Sequence, residues 1–315
     1  MTSTMGRATA ASAKQRPGDR WFSGTALAAG TMILVTLAAV AIFLIIQSVP
    51  GIVATNETAS ILRSDFWDYV LPLAFGTVWA SILALVMAVP LSVAVALFIS
   101  HYAPRRLSQG LGYIVDLLAA VPSVVFGLWG ILVLAPAVQP VYAWLNENAG
   151  WFPLFAGTVS GTGRTIFTAA IVLAVMVTPI ITAICREIFL QTPVLHEEAA
   201  LALGATRWEM VRMAVFPFGR SGIVSASMLG LGRALGETMA VAMVLSVANV
   251  VSFRLFTAEN PGTIPANIAL TFPEAYGTNV NVLIATGLIL FVVTFAVNAI
   301  ARWIVSRRKE FSGAN

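Results

Sequence analysis

The sequence predicts an all-α polytopic membrane protein with six transmembrane helices, and three observations lead there. Of its 315 residues, 58% are hydrophobic and only 10% charged, a composition remote from that of a soluble globular domain. Six apolar stretches, residues 24–46, 70–99, 111–135, 166–184, 223–251 and 280–300, come close to or exceed the about 20 residues a helix needs to cross a ~30 Å hydrocarbon core. The basic residues also alternate in number from one loop to the next. Of the 18 Lys and Arg, fourteen fall in the N-terminal tail, the second and fourth loops and the C-terminal tail, whereas the remaining loops hold Arg63, Arg164 and Arg254. Lys and Arg are retained on the cytoplasmic side, so both termini are expected there. The basic balance then needs no nucleic-acid partner.

Residues 1–23 are small, polar and basic, with little to bury, and are expected to form a disordered cytoplasmic tail. The first apolar stretch lacks a small-residue cleavage site before Pro50, so it reads as a retained span rather than a removed signal peptide. A membrane domain is expected over 24–306, followed by a short basic tail over 307–315. Pro90, Pro122 and Pro179 each lie inside a predicted span, where a missing backbone donor kinks the helix or leaves carbonyls in need of partners. Pro122 sits in AVPSVVFGLWG (120–130), together with Ser123, Gly127 and Gly130, and that combination marks the third span as a candidate pathway wall. Packing alone is the competing explanation.

The loop over 136–165 carries Trp144, Trp151 and Phe152, aromatic residues that favour the membrane–water boundary, so a short re-entrant or surface-lying helix is expected. Its VSGTGRT segment (159–165) lacks the Gly-x4-Gly-Lys-Ser/Thr spacing of a phosphate-gripping loop and reads as a flexible loop. No GxSxG, HExxH or paired-carboxylate motif is placed for hydrolysis, which disfavours an enzyme acting alone. The lone Cys185 excludes an intrachain disulfide, and His101 and His196 are too few and too far apart for a metal site.

The loop over 186–220 carries its own punctuation. Thr192 can cap a helix starting at Pro193, Glu197 and Glu198 suit the positive end of its dipole, and Gly204 can end it. Thr206-Arg207-Trp208-Glu209 fits the capping box of a second helix, which Pro217 would help to terminate. Such helices could lie among lipid headgroups. The small face of Ala199, Ala200 and Ala202 also suits close docking against another protein.

In the fifth span GRALGETMA (232–240) sets Arg233 and Glu237 into an apolar run. Four residues apart on a helix they would share one face. A lone charge at the bilayer centre costs roughly 2.5–3.5 kcal/mol, so an ion pair facing protein or water is expected. It could fix helix packing or line a substrate path.

Glu198-Ala199-Ala200, followed by Gly204 and Pro217, resembles the EAA motif of permease subunits of binding-protein-dependent ABC importers, whose MetI-like, type I fold has six spans. GRALGETMA and AVPSVVFGLWG look most like the phosphate-specific, PstC-like members of that family. The resemblance implies that 186–220, with Glu197, Glu198, Ala199, Ala200, Gly204 and Pro217, is the coupling loop that docks into a cytoplasmic ATPase. It implies a second permease chain (PstA-like), an ATPase dimer (PstB-like) that uses ATP and Mg, and an extracytoplasmic phosphate-binding protein (PstS-like). No cofactor is expected on this chain. Arg233, Glu237 and Ser123 become candidates for substrate translocation, with phosphate competing with Glu237 for the Arg233 guanidinium. A permease for another oxyanion, such as sulfate or molybdate, is the alternative within the family. An ion-coupled carrier acting without an ATPase, or a scaffold protein, are the alternatives outside it.

Overall fold

A computed structural model describes residues 17–309. The expected tails fall largely outside them, over 1–16 and 310–315. Among the described residues, six helical runs are long and apolar enough to cross a membrane: Trp21–Ile52, Phe66–Tyr102, Ser123–Ala149, Ile166–Leu190, Arg207–Gly236 and Thr278–Trp303. The chain divides into two compact units, one ending at Gln47 and one beginning at Ser48.

Helix α1 (Pro17–Ile52) supplies most of the first unit. It is helical from Pro17, so residues 17–23 are not the disordered tail expected of them. Its apolar side chains, including Leu27, Ile33, Leu34 and Ile42, are exposed, the state that a lipid solvent favours.

The second unit is built on α2 (Phe66–Leu97), extended by a π turn at Phe98–Tyr102, and on α6 (Ile166–Leu190). Along α2 every fourth residue facing the core is small: Ala80, Ala84, Ala88, Ser92 and Ala96, each no more than 1% exposed. Positions four apart share a helix face, and small side chains there let two backbones approach closely, which is how helices associate without a hydrophobic drive. Pro179 is buried at the level where the two helices exchange hydrogen bonds. Ser92 Oγ donates to the Thr178 carbonyl at 3.1 Å and Thr182 Oγ1 to the Ser92 carbonyl at 3.5 Å. Packing accounts for this proline.

Between them lie α3 (Arg105–Ala119), α4 (Ser123–Trp129), a π turn at Gly130–Leu134 and α5 (Ala135–Ala149). The third span therefore starts at Ser123, not at residue 111. Residues 111–119 belong to α3, which is strongly amphipathic: Gly112 and Val115 are buried while Tyr113, Ile114 and Leu117 are exposed. Pro122 separates the helices, because a residue preceding proline is pushed out of the helical region and proline itself is tolerated only at a helix start. The apolar run in the sequence joined two helices that this proline keeps apart. The 136–149 half of the expected surface loop is instead the continuation of the third span.

The second half of the chain contains α7 (Val194–Ala202), α8 (Arg207–Met210), a π turn at Val211–Val215, α9 (Phe216–Gly236), α10 (Met239–Val244), α11 (Ile264–Thr271) and α12 (Thr278–Lys309). The Thr206–Glu209 capping box forms in both directions, and Gly204 ends α7 at φ +88°, as expected. Pro193 is the cap residue rather than the first helical one. Pro217 does not end a helix. It lies in the first turn of α9, where proline has no donor to lose, and the run from Arg207 continues into the fifth span.

Candidate functional site

The expected helix over 223–251 breaks after Gly236. Glu237 adopts an extended conformation (φ −69°, ψ 128°) as the residue following α9, and the six-residue α10 starts at Met239. From residue 245 to 263 the chain is non-helical, and the segment contributes an isolated bridge between Val247 and Asn260 and another between Thr257 and Val159.

This break overturns the expected ion pair. Arg233 stands in the last turn of α9 and is exposed, and no described residue bonds its guanidinium. Glu237 is 8% exposed, and its Oε1 accepts a hydrogen bond from the Ala240 N–H at 3.1 Å. The physical reason is local: once the helix stops, spacing by four no longer brings two side chains to one face. The first N–H groups of α10 need acceptors, and a carboxylate there is favoured by the helix dipole. Glu237 serves α10, and Arg233 is left open.

Helix α4 packs beside α10. A methyl group on Gly127 would lie 2.9 Å from Met243 Sδ and 3.0 Å from Ala240 Cα, and one on Gly130 would lie 2.7 Å from Val244 Cγ2. Both helices advance in the same direction through these contacts, so they are parallel. Ser123, half-buried, stands one turn before Gly127 at the start of α4. Of the three translocation candidates, Glu237 stands at the break itself, Arg233 one turn earlier on α9, and Ser123 at the start of the helix that packs on α10.

Sequence reasoning missed the groups that hold α10 at its other end. Arg164 Nη2 donates to the Met243 carbonyl at 3.1 Å, and its Nε to the Val244 carbonyl at 3.4 Å. Asn260, fully buried, bridges the surroundings. Its Nδ2 donates to the Ser246 carbonyl at 2.9 Å and its Oδ1 accepts from the Ile166 N–H at 2.9 Å. The 159–165 segment is accordingly anchored rather than flexible: the Ser160 N–H also bonds the Phe256 carbonyl at 2.8 Å, and Thr165 caps α6. The pair of glycines before Arg164 suggested mobility, and no local signal linked it to residues about 80 positions away.

In the 186–220 segment the six residues expected to form a coupling loop divide by face. Ala200 is buried against the core and Glu197 turns inward, where His101 Nε2 lies 3.3 Å from its Oε1 and Ser100 Oγ lies 2.7 Å from His101 Nδ1. A proton on Nε2 lets both contacts be hydrogen bonds. Glu198, Ala199, Gly204 and Pro217 are exposed. So are Leu195, 75%, and Leu203, 89%, apolar side chains outside any spanning stretch, a common mark of a protein contact. Replacing His101 by Ala is expected to loosen α7 by the worth of one hydrogen bond, about 1 kcal/mol. Amide exchange along α7 should then rise roughly five-fold, with α6 unaffected.

A broken span with a guanidinium on its exposed side, and a surface helix with an apolar exposed face joined to the same run, are parts of a membrane transport subunit. The comparisons agree. The family described as "Binding-protein-dependent transport system inner membrane component" matches residues 88–310, and the chain belongs to it. The "Phosphate transport system permease protein PstC 2" of Mycobacterium tuberculosis is 51% identical over 300 residues, which cover 91% of each chain. The "Phosphate transport system permease protein PstC" of Mesorhizobium japonicum is 40% identical over 308 residues, 94% of this chain and 92% of the relative. A solved bacterial ABC transporter involved in the import of the acidic polysaccharide alginate aligns with a TM-score of 0.58 at 17% identity, over 91% of this chain and 96% of that one. That likeness is one of fold.

Proposed function

We propose that this chain is the permease subunit of an ATP-driven importer that moves inorganic phosphate into the cytoplasm by alternating access. The observation that carries the reading is Arg233: an exposed guanidinium without a partner among the described residues, at the end of α9, in a chain half identical to phosphate permease subunits. A guanidinium offers a planar fork of donors that matches two phosphate oxygens. With Glu237 engaged by α10, an anion is the natural counter-charge for Arg233, and Ser123 adds a hydroxyl at the start of α4, the helix packed on α10. Glu237 thus acts by shaping the site rather than by occupying Arg233 between passages. The anion contact remains a single cation, weak enough to release what it binds.

Moving a dianion inward against a negative-inside potential costs about 2.3 kcal/mol per charge per 100 mV, so the work comes from ATP and Mg on a PstB-like ATPase dimer. The exposed face of α7 is the surface that meets it. A PstA-like permease chain completes the path, a PstS-like binding protein delivers phosphate from outside, and both termini of this chain lie in the cytoplasm. In proteoliposomes holding the full complex, labelled phosphate uptake is expected to require ATP, to be inhibited by arsenate and to be indifferent to sulfate. Uptake without the ATPase, or competition by sulfate, would overturn the reading.

A further inference from the structure

Helix α10 has only six residues, and an isolated helix of that length is not stable, because nucleation costs a factor of about a thousand and few bonds repay it. On one side it rests on the glycine face of α4. On the other it borders a cavity of about 130 Å³ lined by Val241, Ala242 and Leu245 of its own end together with Asn249 and Thr263. The Asn249 Oδ1 and Thr263 Oγ1 atoms are buried there without a hydrogen-bond partner among the described residues. Val241 and Leu245 are buried all the same, but the cavity leaves packing on that side incomplete, so what holds the two ends of α10 adds to its stability.

Two charged side chains stand at its ends in the order the helix dipole favours. The Glu237 carboxylate takes an N–H of the first turn, and the Arg164 guanidinium takes the last two carbonyls, those of Met243 and Val244. A cation at a helix C-terminus is stabilising, and its hydrogen bonds replace those the missing next turn would make. Arg164 has no carboxylate partner among the described residues. Its own carbonyl is held by Asn260 Nδ2 at 3.4 Å, and the residue after it caps α6. The guanidinium is thus mounted on the start of the best-buried span.

We infer that Arg164 is a positioning residue: it holds α10 helical and in register with α4, and so keeps Glu237 away from Arg233 and the anion path open at the break. This rests on the reading that the α9–α10 break lies along the path. Without Arg164 the α10 carbonyls lose their donors, the helix frays into the adjoining cavity, and the Glu237 carboxylate is released to compete for Arg233.

The test uses the full complex with Ala242→Cys as a reporter, since Ala242 lines the cavity; the buried Cys185 is controlled by the same protein without the reporter. Arg164→Met is expected to raise the rate of thiol labelling at least five-fold and to lower phosphate uptake per recovered complex at least ten-fold. Arg164→Lys, which keeps the charge but not the fork, should restore at least half of both. Should Arg164→Met not be recovered from membranes, Arg164→Gln, which keeps a donor, serves instead, with labelling between the two. Labelling at the wild-type rate in the tested variant, with uptake kept or lost, would overturn the inference. Labelling needs no transported anion, so it tests Arg164 even if phosphate proves not to be the substrate.

Discussion

Arg233→Gln is expected to reduce phosphate uptake roughly 100-fold while the complex assembles at its normal level. The magnitude follows from what the substitution removes, a charge-assisted, forked hydrogen-bond donor worth about 3 kcal/mol to a phosphate anion, with a neutral amide left in its place. Assembly should be indifferent, because Arg233 is exposed and nothing among the described residues depends on it. Arg233→Lys separates charge from geometry: a point charge keeps the electrostatic part and loses the fork, so an intermediate loss of about ten-fold is expected. Glu237→Gln should behave differently from both. Its amide oxygen can still accept from Ala240, so α10 survives. Uptake measured with radiolabelled phosphate, normalised to the recovered complex, distinguishes the three; unchanged uptake in Arg233→Gln would remove this residue from the path.

Leu203→Asp is expected to abolish copurification of the ATPase while leaving the permease inserted and as thermally stable as before. Leu203 follows α7 and is 89% exposed, so the chain itself loses no packing when it is replaced. A buried apolar anchor in a protein interface is commonly worth 2 kcal/mol or more, about 30-fold in affinity, and placing a carboxylate at that point adds its desolvation cost. Uptake should vanish with the partner. If the ATPase remained bound at wild-type stoichiometry, the exposed face of α7 would not be its seat.

Local chemistry made much of the fold readable. Four of the six spans start within a few residues of where the apolar runs put them, the third and the fifth being the exceptions, and the Thr206–Glu209 box and the left-handed Gly204 formed as their residue types require. What failed was non-local or finer than hydropathy can resolve. Residues 111–135 are apolar apart from Asp116 and a few uncharged polar residues, yet Pro122 cuts them into α3 and a span, so the third span starts at Ser123 rather than at residue 111. The two polar residues Glu237 and Thr238 turned a continuous apolar run into a broken one, and with that the spacing argument for an ion pair lapsed. Glu197 faces His101, 96 residues away in sequence, and Arg164 faces carbonyls 79 and 80 residues away. Backbone acceptors leave no trace in a sequence, so a cation that serves them looks like any loop arginine.

The alanine ladder on α2 sets a mechanical rule for the whole subunit. Each small residue from Ala80 to Ala96 is seated with no exposed surface to spare, and the larger side chains between them are kept off the contact line. Sliding α2 along α6 would bring those larger groups against backbone until the next small residue arrived, four positions or about 6 Å later. The pair therefore has no small adjustments available and acts as a stator. α7 and α10 lack such a ladder, and each is held in part by one long-range side chain, His101 for α7 and Arg164 for α10, so losing a single bond costs either of them more of its anchorage than it costs the α2–α6 pair.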